Sequence, residues 1–469
     1  MTERLAVTPA PGPLEDYAQR FDELFAKRNQ REGFRRYLEG LLLPAERNKT
    51  LTAIANTEPV VSAQHPTAQR LQWFLSESTW DAVVVNRRRV ELLAEATNTT
   101  PNEQGVLVID ETGDRKWGSK TAHVGRQYLG SVGKVDNGVV SVHSLWADEG
   151  VYYPLEVEPY TPAHWFERGR QDSDFHTKPL LALELVEAAL ENGMHFRAVV
   201  ADSSYGEHLG FRDGLQELGC GYVLALKPTH AWWHAAHELG SAEALARSKP
   251  WDPSAAREWM PITRRFRDGH SEVWWALEAE GGPYGVDKPE RLVIVTTDPA
   301  QLPELTTWYL VANLPAPGSL RAEESAVDVA DLTEVVRLYG LRIWVEQSYK
   351  QVKQSLGWAD YQVRSDQAIR RHWQLVCCAF SFCWWALGQE HVPALALDET
   401  QQPATATPSP SVAKVGEKRP PRDRHRPPDP FLARGAASRQ GVVGAVHHAV
   451  ALLARVVGQA PTSSIAGVT

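Results

Sequence analysis

From residue 14 to about residue 96, apolar positions recur at helical spacing in DYAQRFDELFAKR, EGFRRYLEGLLL and AQRLQWFLSESTWDAVVVNRRRVELL. This predicts a helical region over 14–100, preceded by a flexible stretch, 1–13. Pro101 and the run NTTPNEQG break the pattern, and at Gly105 the period changes. VLVIDET is a short, nearly continuous apolar run with β-branched residues, which predicts a buried strand. VGRQYLGSV and GVVSVHSLWA follow as two more strands, with Gly133 and Asp136-Asn137-Gly138 as turn chemistry between them. LLALELVEAALE then reads as a helix stopped at Asn192-Gly193. The strand FRAVVAD, the helix GFRDGLQELG and the strand YVLALKP complete a mixed α/β sheet over 101–228.

From 229 to 331 tryptophans crowd a strand-like pattern: Trp232, Trp233, Trp259, Trp274 and Trp275. EWMPITRRFRDGHSEVWWALEA reads as a hairpin turning at Asp268-Gly269, with ERLVIVTTD and TTWYLVANL as further strands. This stretch is expected to be a mainly β insertion. Helical pattern returns over 332–388 and ends in the apolar run WQLVCCAFSFCWWAL. Beyond Gly388 the chain turns to Pro, Ala, Thr, Ser and charge, a composition that cannot bury a core. The expectation for 389–469 is a disordered tail with a short helix in GVVGAVHHAVALLARVVG.

A chain of 469 residues with 43% hydrophobic content can bury a large core. Its formal charge of −9 argues against a dedicated non-specific nucleic-acid binder, although basic residues cluster at 28–31, Arg35–Arg36, Arg87–Arg89 and Arg370–Arg371. Four cysteines give neither a disulfide framework nor paired zinc-ligand spacing, as expected of a reduced cytoplasmic protein. The apolar run near the end is too short to span a bilayer comfortably, and the N-terminus lacks a secretory pattern.

The chemistry concentrates in Tyr339-x-x-Arg342-x-x-x-Glu346-x-x-x-x-x-x-Lys353. On one continuous α-helix these four polar side chains share a narrow stripe, while Leu341, Trp344, Val345 and Val352 fall on a packing side. Upstream, Asp110 and Asp202 each close a β-like apolar run. Neighbouring strand ends would set two carboxylates side by side, and the helix would bring a third. Phosphodiester cleavage without a covalent intermediate can use two Mg²⁺ ions roughly 3.5–4 Å apart. Mg²⁺ takes oxygen ligands and keeps waters, so a few carboxylates suffice. Arg342 and Lys353 are the natural phosphate contacts, with Lys350 beside them. Each acid also has an ordinary reading: Asp110 or Asp202 as a turn former or helix cap, Glu346 as a surface charge paired with Arg342 or Lys350. Glu111, Asp114, Asp136 and Asp213 are competing acids, read as caps or turn residues.

The spacing Tyr-(2)-Arg-(3)-Glu-(6)-Lys resembles the glutamate signature of bacterial insertion-sequence DDE transposases. IDETGDRKWG, VGRQYLGSVGKVDN, ADSSYG and YGLRIWVEQSYKQVKQSLGWADYQVRSDQAIRRHW are similar to the insertion-sequence 701 group, over roughly residues 14–387. The resemblance implies a ribonuclease-H-like core with a β insertion before the glutamate. It implies Asp110, Asp202 and Glu346 as a triad holding Mg²⁺, with Mn²⁺ as a substitute. Tyr339, Arg342 and Lys353 would then contact DNA near the scissile bond. The helical N-terminal region would bind terminal inverted repeats, and Lys116, Arg126 and Lys134 would line the DNA path or remain solvated loop charge. Trp274 or Trp275 would stack on a flipped base or pack in the core. The implied partners are double-stranded DNA, as element ends and as target, and a second copy of the chain in the active complex. The implied location is the cytoplasm, on the nucleoid when acting, with no membrane. Two other readings stay open: a recruited or inactive transposase acting as a DNA-binding regulator, and a ribonuclease-H-like nuclease without strand transfer.

Overall fold

The structure is a computed structural model that describes residues 7–10, 12–44, 47–57, 64–234, 239–252, 258–266, 269–282 and 290–388. The expected tail over 389–469 and most of the N-terminal stretch 1–13 lie outside the described residues. The chain opens with helices α1 (Pro13–Gln19), α2 (Arg28–Leu42), α3 (Leu51–Ile54), α4 (Pro66–Ser76) and α5 (Ala82–Glu95). Strands β1 (Val106–Arg115), β2 (Gly125–Leu129), β3 (Lys134–Ala147) and β4 (Tyr152–Tyr160) follow. Next come α6 (Lys178–Glu191), β5 (Ala198–Ala201), α7 (Ser203–Gly206), α8 (Leu209–Glu217) and β6 (Tyr222–Ala225).

The central order is β3-β1-β5-β6, with β4 on the outer side of β3. β1 runs antiparallel to β3 and parallel to β5, and β5 runs parallel to β6. This is a ribonuclease-H-like mixed sheet, as the sequence implied. β1 is buried along nearly its whole length because helices cover both of its faces, so it reads as a continuous apolar run rather than an alternating one.

Two local expectations change. β4 was not anticipated: Pro154 and Pro159 argue against a strand, but β4 pairs only with β3, and an edge strand tolerates proline. Asp136-Asn137-Gly138 is not a turn. It lies inside β3 opposite Gly125–Gln127, and the chain reverses at Gly130–Gly133, where Gly133 takes a φ of +67°. The expected β stretch over 229–331 adds to the core sheet. Its strands β7 (Ala231–His234), β8 (Leu239–Ser241), β9 (Met260–Arg265), β10 (Ser271–Gly282), β11 (Glu290–Thr296) and β12 (Thr307–Ala312), with α9 (Ala242–Ser248) among them, extend the same sheet. β12 pairs antiparallel with β6, giving one 12-stranded sheet. The β9–β10 hairpin forms as expected, with Gly269 at φ +87°; Asp268 lies outside the described residues.

After α10 (Arg321–Glu324), the chain ends its described part with α11 (Leu332–Gly340), α12 (Ile343–Gln354) and α13 (Asp366–Gly388). α13 is buried along most of its length, packed against α5, α2, α4 and α1. Tyr17 meets Phe382 and Trp385, the Tyr37 hydroxyl bonds His372 Nδ1 at 2.8 Å, and Arg89 reaches Ser381 Oγ at 3.0 Å. The N-terminal helices therefore share a core with the last helix. This also disposes of several basic clusters: Arg31, Arg35, Arg89 and Arg371 are buried and bonded within the protein. All four cysteines are buried and unpaired, and no described helix is long and apolar enough to cross a membrane.

Candidate active site

β1 and β5 lie side by side with Ile109 opposite Ala201, so Asp110, midway along β1, stands next to Asp202, just past the end of β5. Each aspartate anchors one oxygen on the backbone. Asp110 Oδ1 accepts from Glu111 N at 2.8 Å, and Asp202 Oδ1 caps α7 by accepting from Ser204 N at 2.9 Å. Each turns its Oδ2 toward the same cation. Arg342 Nη2 lies 3.2 Å from Asp110 Oδ2 and 3.9 Å from Asp202 Oδ2, and Arg342 Nη1 lies 3.9 Å from Glu346 Oε1. Three acids that are 92 and 144 residues apart in sequence thus converge on one guanidinium. Side-chain exposure rises across them, from 10% at Asp110 through 33% at Asp202 to 47% at Glu346, so the cluster opens to solvent on the Glu346 side.

The predicted single helix is broken. α11 ends at Gly340, Leu341 and Arg342 form a turn, and α12 begins at Ile343. The Arg342 N–H bonds Tyr339 O at 3.0 Å, a tighter three-residue step that swings Arg342 inward over the aspartates. The predicted packing side holds: Leu341, Trp344, Val345 and Val352 are buried. Trp344 stacks on Tyr152 of β4 at 4.7 Å, and the Tyr152 hydroxyl donates to Gln351 at 3.0 Å. The unanticipated strand is therefore the pad that seats the Glu346 helix.

α12 is tied to β1 a second time. Lys353 Nζ pairs with Asp114 at 2.7 Å and reaches Gly113 O at 3.4 Å. Asp114 is a buried mid-strand residue, not a cap or turn, and it shares a strand face with Asp110. Strand periodicity could have found it, since Asp110 and Asp114 are four apart. Glu111 points to the other face and pairs with Lys178 at 2.6 Å. Asp136 sits in β3 and pairs with Arg115, and Asp213 lies within α8. Burial raises the pKa values of the buried Tyr205 and Tyr349 hydroxyls well above the ordinary phenol value, and the charges of Glu111 and Asp110 add to both shifts. Nothing in the sequence signals either residue.

Burial raises the Asp110 pKa to about 7; Arg342 opposes the shift and Asp202 adds to it. Burial works against the Arg342 charge, but Asp110, Tyr339, Asp202 and Glu346 hold its pKa above the ordinary guanidinium value. Burial raises Tyr339 as well, against the pull of Arg342. A buried acid beside a second acid demands a cation, and here Arg342 supplies it. Among the described residues no three His, Cys, Asp or Glu side chains are placed to hold a metal ion as they stand. The donor set nevertheless fits Mg²⁺ or Mn²⁺ in kind: three carboxylates around one cationic position that opens to solvent.

The remaining predicted contacts divide. Arg126, Lys134 and Lys350 are exposed, the first two on the β2–β3 hairpin and the third on α12. Lys116 turns inward: its ammonium donates to Ala359 O at 2.8 Å and lies 3.3 Å from the Tyr361 ring centroid, and burial lowers its pKa to about 8. Trp274 is buried at 5% exposure, donates to Glu272 at 2.9 Å and packs on Trp308, with Arg264 over its ring. Trp275 meets Trp251 edge-on at 4.3 Å. In this structure both tryptophans serve packing.

Residues 20–260 match the family described as DDE superfamily endonuclease, and residues 172–382 match the transposase DDE domain. The chain is 33% identical over 366 residues to the probable transposase for insertion sequence element IS701 of Microchaete diplosiphon, covering 77% of this chain and 85% of that one. Among solved structures, the NurA nuclease from Sulfolobus solfataricus matches at 7% identity with a TM-score of 0.26, over 55% of this chain and 87% of that one. The family matches and the long alignment agree with the signature around Glu346: this chain belongs to the DDE transposases and is of the insertion-sequence 701 type.

Proposed function

We propose that this transposase cuts DNA at the ends of its element, freeing a 3′-hydroxyl, and joins that hydroxyl to target DNA. Asp110, Asp202 and Glu346 would hold Mg²⁺, with Mn²⁺ able to replace it. The bound ions would activate the attacking oxygen and stabilise the leaving one. The convergence of all three carboxylates on a single cationic point carries this reading. Asp110 and Asp202 are pre-oriented by their backbone bonds, and Glu346 approaches from the solvent side. Arg342 is already a cation at the reacting position, and a DNA phosphate offers its fork a bidentate partner in place of the acids. Tyr339 flanks Arg342, and Lys350, Arg126 and Lys134 are exposed cations available to the DNA backbone. Joining two element ends to a target calls for two copies of the chain, so the active complex is a homodimer on DNA.

The test is a nicking and strand-transfer assay on DNA bearing the element's ends, with Mg²⁺, comparing the wild-type protein with Glu346→Gln. The wild-type protein should nick and join, and the variant should bind without nicking. Equal nicking by both would remove Glu346 from the chemistry. Binding without nicking by the wild-type protein would favour a recruited DNA-binding regulator.

A further inference from the structure

We propose that Arg264, on the β9–β10 hairpin, is a DNA-phosphate contact set one aromatic layer outside the carboxylate cleft. This rests on the reading of the cleft as a DNA-cutting site. Buried arginines elsewhere in the molecule have oxygen partners. Arg35 pairs with Glu15 and Asp22, Arg212 with Glu290, Arg291 with Glu278 and Arg342 with the three acids, while Arg89 and Arg371 bond carbonyls. Arg264 is half-buried and differs from them. Its guanidinium lies over three rings, 4.3 Å from the Trp274 centroid, 4.5 Å from Trp308 and 4.8 Å from Phe266. Among the described residues it makes no hydrogen bond and no ion pair. The nearby Glu272 carboxylate accepts from the Trp274 indole instead. None of its nitrogens is sealed from solvent.

The box of rings leads to the cleft. Trp308 meets Tyr339 edge-on at 5.1 Å, and Arg264 Nη2 sits 3.1 Å from where a Cβ on residue 340 would stand. Gly340 thus lets the guanidinium rest against the backbone just before the turn that carries Arg342. Burial lowers its pKa to about 10, so the guanidinium is still a full cation near neutral pH. The result is a cation held in place by rings, its planar donors reached by solvent and without a protein partner among the described residues. Ring contacts of this kind restrain the guanidinium plane and leave its N–H edge free. The ligand that suits it is an anion with paired oxygens, and a DNA strand in the adjoining cleft presents one at every phosphate. Because the rings have already restricted the side chain, binding orders little that was free.

The experiment is a salt series of binding affinities by fluorescence anisotropy, using a labelled duplex that carries the element's end. It compares the wild-type protein with Arg264→Gln, Arg264→Met and Arg264→Lys, each checked by thermal melting. Arg264→Met keeps an unbranched apolar stem between the rings, which guards against a loss caused by unfolding. The neutral variants should lower the slope of log affinity against log salt by about 0.9, the share of one phosphate, and Arg264→Lys should keep the slope. An unchanged slope in the neutral variants, or the same loss in Arg264→Lys, overturns the proposal. If the wild-type protein cuts end DNA while these slopes fail, only Arg264 loses its role. If it binds no DNA at all, the functional reading falls and takes this inference with it.

Discussion

Two of the regions that bury arginine in this molecule do so in opposite ways. In the seam between the N-terminal helices and α13, Arg371 donates to Leu75 O at 2.8 Å and to Trp80 O, and Arg89 donates to Pro154 O at 2.7 Å. Leu75 lies in the last turn of α4, Trp80 in the loop after it and Pro154 at the irregular step of edge strand β4, so their carbonyls need donors, and both arginines are sealed from solvent. In the cleft between β1 and α12, Arg342 faces three carboxylates whose exposure rises outward. A carbonyl partner holds a guanidinium permanently, because neither group has a better alternative in the dry interior. A cluster of acids open on one side holds it exchangeably, because another cation can take the acids and another anion can take the arginine. Sequence clusters of basic residues do not separate the two kinds; the identity of the partner does.

That contrast is sharpest under substitution. Glu346→Gln should lower strand cleavage by on the order of 10³-fold, as loss of several kcal/mol of transition-state stabilisation implies, while leaving the melting temperature unchanged because the side chain is half exposed. A quantitative nicking assay beside a melting curve reads both. In the seam the pattern should invert. Arg371→Ala strands two buried carbonyls and empties a site beside Trp80, and should cost about 3 kcal/mol in denaturant unfolding. The cleavage rate per folded molecule should stay the same. A seam variant that loses cleavage per folded molecule without losing stability would break the division.

Acid should act on both regions. Burial lowers the His372 pKa to about 4 and the His143 pKa to about 3, and Lys116 and Lys353 respectively push the same way. Above pH 6.5 both histidines are neutral whether the chain is folded or not. Below that the unfolded chain takes protons first, so stability falls as pH drops from about 6.5 through 4 toward 3, by up to about 3 kcal/mol for His372 and about 5 kcal/mol for His143. Denaturant titrations across that range should show the decline, and His372→Gln should flatten the upper part of it. The smallest effect sharpens the comparison most. Arg342→Gln should raise Mn²⁺ affinity in the absence of DNA by about tenfold, because a competing cation close to the acids is gone. Isothermal titration would detect it, and an unchanged affinity would mean that the guanidinium and the ion do not compete.

Much of this was legible in the sequence, and the gaps have physical causes. Asp110 and Asp202 were visible because each ends an apolar run, and Glu346 because its neighbours fall on a packing side. β4 was hidden by Pro154 and Pro159, which only an edge position permits. The continuity of the sheet was hidden because the pairing of β6 with β12 joins residues about ninety positions apart and leaves no local trace. The break at Gly340 could not be read from a spacing that also fits one straight helix. Lys116 and Lys353 looked like DNA contacts because partner choice is a tertiary property. Lys353 found Asp114, and Lys116 found carbonyls and a ring.

The central claim is that three carboxylates now gathered on Arg342 share a divalent cation when DNA is bound. A crystal of the wild-type protein with end-bearing DNA and Mn²⁺, read by anomalous scattering, tests it most directly. Manganese should be bound jointly by Asp110, Asp202 and Glu346, with Arg342 withdrawn to a phosphate. Manganese absent from these oxygens, with the guanidinium still among them on bound DNA, would contradict it.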